Sequence, residues 1–334
     1  MRRILYFFYY VKGLDVGKFR AFVNYVIRNG QSRNRLVLYS DIVASSLKYN
    51  VSILDYFYFR FYSKNQIEKS QYAGTGTMYE YQLKANPISS RSKLEDKIQF
   101  LKHYITFTKR RFASLEDLRK IEGLKESFFD RVGDKLVLKG SKGQVGAEVE
   151  IIEKADWTAE GVLALMDSGK YDMMEEYVVQ HPDIMALSPS GLNTVRVFTQ
   201  LTGTGEVEIL GARLRISINS KVDNMAAGNP AAPINLETGK IDGLAVFSDI
   251  TRSPISEHPV TGVAIAGFQV PFWIDTLQMA KDLALFDTSN KSIGWDIAIS
   301  ETGPEVIEGN HNWCKLLWQL PVNQGLKSKL IQYK

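Results

Sequence analysis

The spacing of apolar residues divides the chain into a helical beginning and a strand-rich remainder. Up to about residue 85, apolar side chains recur every three or four positions, as at Phe19, Val23 and Val26. That period is typical of helices with one buried face. The stretch ILDYFYFRFYSKNQIEKSQY is dense in aromatic residues, which predicts a helix face packed into a core; a sugar-stacking surface is the alternative.

The pattern changes at Asp134, where short β-rich runs begin, separated by glycine and polar turns. The runs read KLVLKG, AEVEII, MMEEYVV, TVRVFTQ, EVEILGARLRIS, IDGLAVF, WDIAIS and EVIEG. A helix-like segment, TAEGVLALMDSG, lies among them, and an amphipathic one, KLEDKIQFLKHY, precedes them. This alternation predicts an α+β domain with much antiparallel sheet.

Length and composition bound the class of protein. A chain of 334 residues exceeds the usual size of one hydrophobic core, so we expect two or three packed units. Hydrophobic residues at 45% and charged residues at 23% are ordinary for a soluble globular protein. The net charge of +4 permits an anionic partner such as a nucleotide or an acidic glycan, and we expect no nucleic-acid partner.

The single cysteine, Cys314, excludes an intrachain disulfide and a multi-cysteine metal site, and it favours a cytoplasmic location. The opening MRRILYFFYYVKG is too short to span a bilayer and lacks the small-residue cleavage site of a signal peptide. We therefore expect this segment to pack against the rest of the protein, with contact to a membrane surface as the alternative.

A glycine-containing loop follows the first β-rich run, in KLVLKGSKGQVG. Lys139 ends the run, and Gly140, Gly143 and Gly146 follow it. Glycines let backbone N–H groups approach phosphate oxygens closely, and a lysine at the strand end adds positive charge. The spacing matches neither a Walker A loop nor a dinucleotide fingerprint. The loop is a candidate phosphate site, although hairpins rich in glycine are common.

Two further segments carry polar groups in strand-like runs. In MMEEYVVQHPD, the backbone after Glu176 could pair with an adenine edge and Asp183 with a ribose hydroxyl; a solvated strand edge is the alternative. In GWDIAISETGPEVIEGN, Asp296 lies within an apolar run, while Glu308 and Asn310 fall two apart on the next run and so face one side. If the runs pair as a hairpin, their oxygens form a set of ligands that suits Mg²⁺. The alternative is a polar hairpin whose acids are capped; we favour the metal site because a buried carboxylate without a partner is costly.

Several of these segments together resemble a known family. LEDKIQF, EEYVVQHP, LNTVRVFT, VDNMAAGN and GWDIAISETGPEVIEGN are similar to the ATP-grasp fold, and more closely to the sugar-transfer associated ATP-grasp family, over roughly residues 90 to 325. The resemblance implies two α+β subdomains that grip ATP, preceded by a helical region. The expected boundaries are 1–85 for the helical region, 86–184 for the N-terminal part with its glycine-rich lid, and 185–334 for the C-terminal subdomain with the metal site.

The resemblance also implies roles for individual residues. The expected phosphate contacts are Lys97, Lys139, Gly140, Ser141 and Gly143. The expected adenine and ribose contacts are Glu175, Glu176, Tyr177, Val178 and Asp183. Residues expected to face the phosphates or the acceptor, or to stabilise the transferred phosphoryl group, are Asn193, Arg196 and Arg213. One or two Mg²⁺ ions are expected on Asp296, Glu308 and Asn310.

The activity that the resemblance implies is that of an ATP-dependent carboxylate–amine ligase, in which ATP and Mg²⁺ convert a carboxylate to an acyl phosphate that an amine captures. The association with sugar transfer points to a uronic-acid carboxylate in capsular or other surface polysaccharide biosynthesis, with peripheral attachment to that machinery. One alternative is a kinase of the same fold acting on a sugar or glycan precursor. Another is a nucleotide-binding module without catalytic activity.

Overall fold

The computed structural model describes residues 2–142, 149–169 and 171–333. Helices fill the first hundred residues, and two antiparallel sheets follow, as the sequence predicted. The first helices are α1 (Arg2–Lys12), α2 (Val16–Arg28), α3 (Arg35–Tyr49), α4 (Ile53–Tyr58), α5 (Gln66–Ser70), α6 (Thr75–Ala85), α7 (Ser92–Glu95) and α8 (Lys97–His103). No helix in the described ranges is long and apolar enough to cross a membrane.

Local hydrogen bonds fix several of these helix starts. Asp15 and Asn34 cap α2 and α3, and Ser52 forms a reciprocal capping box with Asp55 at the start of α4. The segment predicted as one amphipathic helix, KLEDKIQFLKHY, is instead broken at Asp96. That residue is extended, and its carboxylate accepts from the N–H groups of Ile98 and Gln99, so it ends α7 and caps α8.

The aromatic stretch forms the core of the helical region. Tyr56, Phe57, Phe59 and Phe61 are all 2% exposed or less, and the ring of Phe59 lies 4.7 Å from that of Tyr72. Burial of such rings is a large source of apolar stabilisation. The predicted core packing is therefore what the aromatic stretch provides.

The smaller sheet has four antiparallel strands in the order β1-β4-β2-β3. Its elements are β1 (Phe112–Ser114), α9 (Leu115–Lys120), α10 (Leu124–Arg131), β2 (Lys135–Lys139), β3 (Val149–Glu153), α11 (Ala159–Asp167) and β4 (Met173–Glu176). Leu136 and Leu138 of β2 pack with Phe128 of α10 and Val162 of α11 in one buried cluster. The helices thus cover one face and leave Lys139 at the other.

The larger sheet has five antiparallel strands in the order β7-β6-β5-β8-β9. Its elements are α12 (Pro182–Leu187), β5 (Thr194–Leu201), β6 (Val207–Arg215), β7 (Ala231–Ile234), α13 (Trp273–Phe286), β8 (Ser292–Ser300), β9 (Gly303–Asn310), α14 (Lys315–Gln319) and α15 (Ser328–Ile331). Helix α13, which the sequence analysis did not identify, packs on the apolar face. The predicted strand IDGLAVF is wrong, because this segment makes only isolated bridges, such as Ala231↔Val246.

The opposite face of this sheet is polar at one end and covered at the other. Register places Arg196 opposite Arg213 on one side and opposite Asp296 on the other, so these side chains share a face. Further along β5, Phe198 packs against Trp313 with ring centroids 4.9 Å apart. The hydroxyl of Tyr81 in α6 donates to Gln200. The helical region therefore covers half of the face and leaves the charged half open.

A buried ion pair joins the helical region to the C-terminal segment. Asp55 is 1% exposed and accepts hydrogen bonds from the backbone N–H groups of Ser52 and Thr75. Its other oxygen lies 3.1 Å from Nζ of Lys315. Two parts of the chain some 260 residues apart thus share one charge pair.

Replacement of Lys315 by Met should destabilise the protein by about 3 kcal/mol, because it leaves a buried carboxylate without its cation. Urea unfolding followed by tryptophan fluorescence measures the loss. Lys120→Met, which removes a fully exposed partner of Glu116, is the matched control and should leave the midpoint unchanged. Equal midpoints for the two variants would contradict a structural role for the Asp55 pair.

Candidate active site

Asp296 lies buried at the centre of the polar face and accepts from two guanidinium groups. Arg196 on β5 donates from Nε and, at 2.6 Å, from Nη2, and Arg215 on β6 donates from Nη1. Burial alone would raise the pKa of Asp296, but the two arginines outweigh it and hold the pKa well below its usual range. Gly294 leaves space here, because a Cβ atom would lie 3.1 Å from Arg196 Cδ.

Glu308 and Asn310 extend the polar cluster on β9. The predicted hairpin is present, with Glu308 paired to Asp296 and Asn310 to Gly294. Asn310 Nδ2 donates to Glu308 Oε1 at 3.0 Å, and Arg196 Nη2 lies 3.9 Å from the same oxygen. Partial burial and the charge of Asp296 raise the pKa of Glu308.

A β-bulge decides which β9 residues reach this cluster. The register shifts so that Asp296 pairs with Glu308 while the next residue, Ile297, pairs with Val306, leaving Ile307 as the extra residue. Strict alternation would place Val306 and Glu308 on the same face. The bulge instead sends Val306 into the core and keeps Glu308 on the polar face.

Asp223 completes the charged group from the loop after β6. Its Oδ1 lies 2.7 Å from Arg215 Nη2, and its Oδ2 accepts from the backbone N–H and the hydroxyl of Thr194. Burial raises the pKa of Asp223, and the charge of Asp296 adds to the shift, whereas Arg215 opposes it. The carboxyl groups of Asp223, Asp296 and Glu308 thus lie within 4 Å of the guanidinium group of Arg196 or Arg215.

The polar face carries oxygen atoms of the kind that bind a divalent cation. Asp296 and Glu308 supply carboxylate oxygens and Asn310 an amide oxygen, and oxygen ligands with room for water and phosphate are what Mg²⁺ prefers. Within residues 2–142, 149–169 and 171–333, no group of three or more His, Cys, Asp and Glu side chains is placed to hold a metal ion. A Mg²⁺ ion on Asp296, Glu308 and Asn310 therefore remains a prediction, and it would need further ligands from water and substrate.

The smaller sheet presents Lys139 from the other side. Lys139 Nζ lies 2.6 Å from Oε2 of Glu175, the neighbouring side chain on β4. Arg110 Nε reaches the same oxygen at 3.2 Å. Burial by itself would raise the pKa of Glu175, but Arg110 and Lys139 lower it to about 2. Glu175 is thus an ionised support for Lys139.

Arg110 also connects this support to β9. Its Nη1 donates to Glu305 Oε2 at 3.1 Å and to the carbonyl oxygen of Val306 at 2.8 Å, and its Nη2 donates to Ile307 O. These carbonyls belong to the bulge. We call the smaller sheet, β1-β4-β2-β3, the lid sheet. One buried side chain therefore connects the lid sheet to β9, the strand that carries Glu308.

Lys97 and the start of the glycine loop lie between the two sheets. Lys97 Nζ donates to Gly140 O at 2.9 Å, and burial lowers its pKa while the nearby Glu308 charge opposes that shift. The backbone N–H and hydroxyl of Ser141 both donate to Asp172, so these donors are already engaged. Gly143, also predicted as a phosphate contact, lies outside the described residues.

A cleft of about 220 Å³ borders the connection between the sheets. Its lining includes Glu176, Tyr177, Val178 and Val179 on one side and the β8–β9 turn on the other. The backbone N–H groups of Val178 and Val179 donate to no residue in the described ranges. The volume is below the 300–1,000 Å³ usual for drug-sized ligands.

Comparison with known proteins identifies the family. The sequence model of the sugar-transfer associated ATP-grasp family matches residues 77–334. The chain belongs to this family. The comparison with curated proteins returned no match.

Solved structures with similar folds share little sequence with this ATP-grasp chain. A RimK domain protein from Sphaerobacter thermophilus is 14% identical, with a TM-score of 0.38 over 72% of this chain and 67% of that one. D-alanyl-alanine synthetase A from Vibrio cholerae is 12% identical, with a TM-score of 0.41 over 72% of this chain and 64% of that one. The biotin carboxylase domain of Hydrogenobacter thermophilus 2-oxoglutarate carboxylase, bound to MgADP, is 14% identical. Its TM-score is 0.40 over 69% of this chain and 45% of that one. The chain thus spans between about half and two thirds of these proteins, and the family assignment rests on the sequence match.

Three residues predicted for the ATP-grasp site lie away from the cluster around Asp296. They are Asn193, Asp183 and Arg213. The amide of Asn193 is buried and donates to Gln180, Ser188 and Gly191 while accepting from Ser217. It therefore holds loops together. Asp183 lies at the start of α12 with its side chain 66% exposed, 3.6 Å from His181.

Arg213 shares the face of Arg196 but turns toward α14. Its guanidinium donates to the carbonyl oxygens of Ala212 and Trp318, and Nε has no partner among the described residues. Burial lowers its pKa to about 10. Arg215, two positions further along β6, lies beside Asp296, whereas the sequence analysis singled out Arg213 as the residue that stabilises the transferred phosphoryl group. The period of two in GARLR placed both on one face, so the sequence carried that signal.

Replacement of Glu175 by Gln should lower stability by about 3 kcal/mol at pH 7, because Arg110 loses one of its two acids. Since the pKa of Glu175 is lowered, its contribution is present above the unfolded-state pKa and is lost as pH falls from about 4.5 toward 2. Melting temperatures of wild type and variant should therefore converge below about pH 4.5. The exposed Glu122→Gln is the control, and a constant difference down to pH 3 would contradict the assignment.

Proposed function

We propose that the protein is an ATP-dependent carboxylate–amine ligase. The observation that carries the proposal is the meeting of two opposed charge groups. Lys97 of α8, which donates to Gly140 O at 2.9 Å, and Lys139 of the smaller sheet form one group, and the oxygens of Asp296, Glu308 and Asn310 on the larger sheet form the other. Cations opposite a metal-binding edge are what the transfer of a phosphoryl group requires.

The chemistry of the proposal is the one that the resemblance to ATP-grasp ligases implies. A substrate carboxylate oxygen attacks the γ-phosphorus of ATP, the bond to the β-phosphate oxygen breaks, and ADP leaves. An amine then attacks the acyl carbon, loses a proton and displaces inorganic phosphate, giving an amide. Mg²⁺ held at Glu308, Asn310 and Asp296 would supply neutralisation of phosphate charge.

The chain's own side chains have separable roles in this scheme. Lys139, fixed by the ionised Glu175, binds phosphate oxygens beneath the lid. Arg196 and Arg215 hold Asp296 ionised and in place, and their positive charge lies where negative charge develops on the transferred group. The 220 Å³ cleft takes the adenine ring against the backbone of residues 177–179.

The carboxylate substrate is proposed to be a uronic acid of a surface glycan or its precursor, and the amine an amino acid or a small amine. The family's association with sugar transfer supports the sugar part, and a net charge of +4 is compatible with an acidic glycan. A single cysteine and a need for ATP support a cytoplasmic site of action. A polysaccharide-assembly role is part of the same proposal.

Replacement of Lys139 by Met should weaken ATP binding by about tenfold or more, since it removes one charge-assisted contact to phosphate. Isothermal titration calorimetry with Mg-ATP measures the change. Lys120→Met is the control, because Lys120 lies on the exposed surface of α9, where it pairs with Glu116, and it lines no part of the cleft. Equal affinity of Lys139→Met and wild type would remove Lys139 from the nucleotide site.

The activity itself is tested by release of ADP from Mg-ATP, with uronic acids and uronate-containing glycans crossed against pooled amino acids. We expect release only when both a carboxylate and an amine are present, with an amide detected by mass spectrometry. Glu308→Gln should reduce turnover by more than about a hundredfold while ATP still binds.

The alternatives give different results in the same assay. ADP release without any amine, together with a phosphorylated sugar, would identify a kinase and reject the ligase. Tight ATP binding with no product, and no cellular effect of Glu308→Gln, would favour a non-catalytic nucleotide-binding module.

A further inference from the structure

Helix α1 turns one side inward and leaves an apolar side exposed. Tyr10 is buried in the helical core, and Phe7 packs against it. Five large apolar side chains point away from that core, with exposures from 47% for Val11 to 71% for Tyr9. They are Ile4, Leu5, Phe8, Tyr9 and Val11. We call this set the α1 apolar face.

The exposed apolar surface extends onto the next helices. Helix α1 packs against α3. On α3, Leu36 is 78% exposed, and Tyr39 and Val43 follow at helical spacing with exposures of 37% and 40%. Tyr39 stacks on Phe19 of α2 at 6.0 Å. Scattered single apolar residues are normal on a protein surface, whereas a set on adjoining helices indicates an interaction surface.

Positive charge is concentrated around the same surface. The first 50 residues contain nine Lys and Arg, all exposed, against two Asp and no Glu. The remaining 284 residues contain 32 basic and 35 acidic residues. The net charge of the first 50 residues is therefore +7 and that of the rest is −3, so the mild basicity of the whole chain conceals a strong asymmetry.

Most of this charge is not neutralised within the protein. Arg2 pairs loosely with Glu80, and Arg3 caps carbonyl oxygens at the end of α3. Five other side chains have neither an ion pair nor a hydrogen bond to any residue of the described ranges. They are Lys12, Lys18, Arg20, Arg28 and Arg33. These cations remain available to an external anionic partner.

We propose that α1–α3 form a docking surface for the anionic face of a lipid bilayer. The α1 apolar face enters the boundary between headgroups and acyl chains, where aromatic and aliphatic side chains gain from burial, and the surrounding Lys and Arg contact lipid phosphates. A second copy of this chain is a poorer occupant, because two surfaces of net charge +7 repel each other. No proposed ATP-site residue belongs to α1–α3, so the docking surface and that site share no residue.

Vesicle flotation tests the proposal with the full chain. Wild type should float with vesicles of phosphatidylcholine plus phosphatidylglycerol, not with phosphatidylcholine alone, and high salt should release it. Leu5→Ser combined with Phe8→Ser should reduce partitioning by more than about tenfold, since two exposed apolar groups are lost. Lys12→Gln and Lys18→Gln should each reduce it by about fivefold.

The matched control is Ile274→Ser combined with Ile331→Ser, two equally exposed apolar residues on α13 and α15. It should float like wild type. All variants should retain the wild-type melting curve and any ADP-releasing activity, so failure of the ligase proposal leaves this test unaffected.

Three outcomes would overturn the proposal. They are no flotation of wild type with anionic vesicles, equal flotation of the Leu5→Ser/Phe8→Ser variant, and equal binding to neutral vesicles. A dimer in light scattering that becomes a monomer in the same variant, without vesicle binding, would assign the surface to a second copy.

Discussion

One buried guanidinium group holds the two sheets of this protein in a fixed relation. Arg110 is 5% exposed and contacts Glu175 of the lid sheet, Glu305 of β9 and two carbonyl oxygens of the bulge. Burial by itself would lower the pKa of Arg110, but the two carboxylates outweigh it and raise the pKa. A buried cation that loses a partner is costly, so the sheets have one favoured approach. Through Arg110, Glu175, which pairs with Lys139, is joined to β9, which carries Glu308.

The same contact explains how a site can be built from separate chain segments. Glu175 belongs to the lid, Arg110 to the loop before it, and Glu305 to a hairpin about two hundred residues later. The apolar core of the large sheet positions the hairpin, and the helices α10 and α11 position the lid strands. The contacts of Arg110 with Glu175 and Glu305 then set the position of one core relative to the other. Packing supplies the stability of each half, while a short chain of ion pairs determines their mutual position.

The sequence was most informative where a local pattern coincided with the final environment. WDIAIS and EVIEG are correct strands because alternation, a turn and a buried face agree. The helical beginning follows equally from its periodicity. IDGLAVF failed because its backbone pairs only one residue at a time, which no local pattern reveals. In KRRF, three basic residues stand in a row, and only the tertiary structure selects Arg110 for burial.

The choice between Arg213 and Arg215 shows the same limit. Both lie on one face of β6, and the placement of α14 draws Arg213 toward carbonyl oxygens while Arg215 meets two carboxylates. That placement depends on segments about a hundred residues away. The prediction that Glu308 and Asn310 share a face required only the period of the strand, and the structure agrees with it. The roles assigned to these side chains remain predictions.

The bulge at Ile307 makes the hairpin sensitive to chain length rather than to side-chain chemistry. Because one extra residue separates Val306 from Glu308, a change in length that made β9 pair without its bulge would restore plain alternation. Val306 and Glu308 would then compete for the same side of the sheet, and one would be misplaced. Loops elsewhere around the site can lengthen or shorten at small cost. This hairpin can accept substitutions, but an insertion or deletion would move side chains of β9 to the opposite face of the sheet.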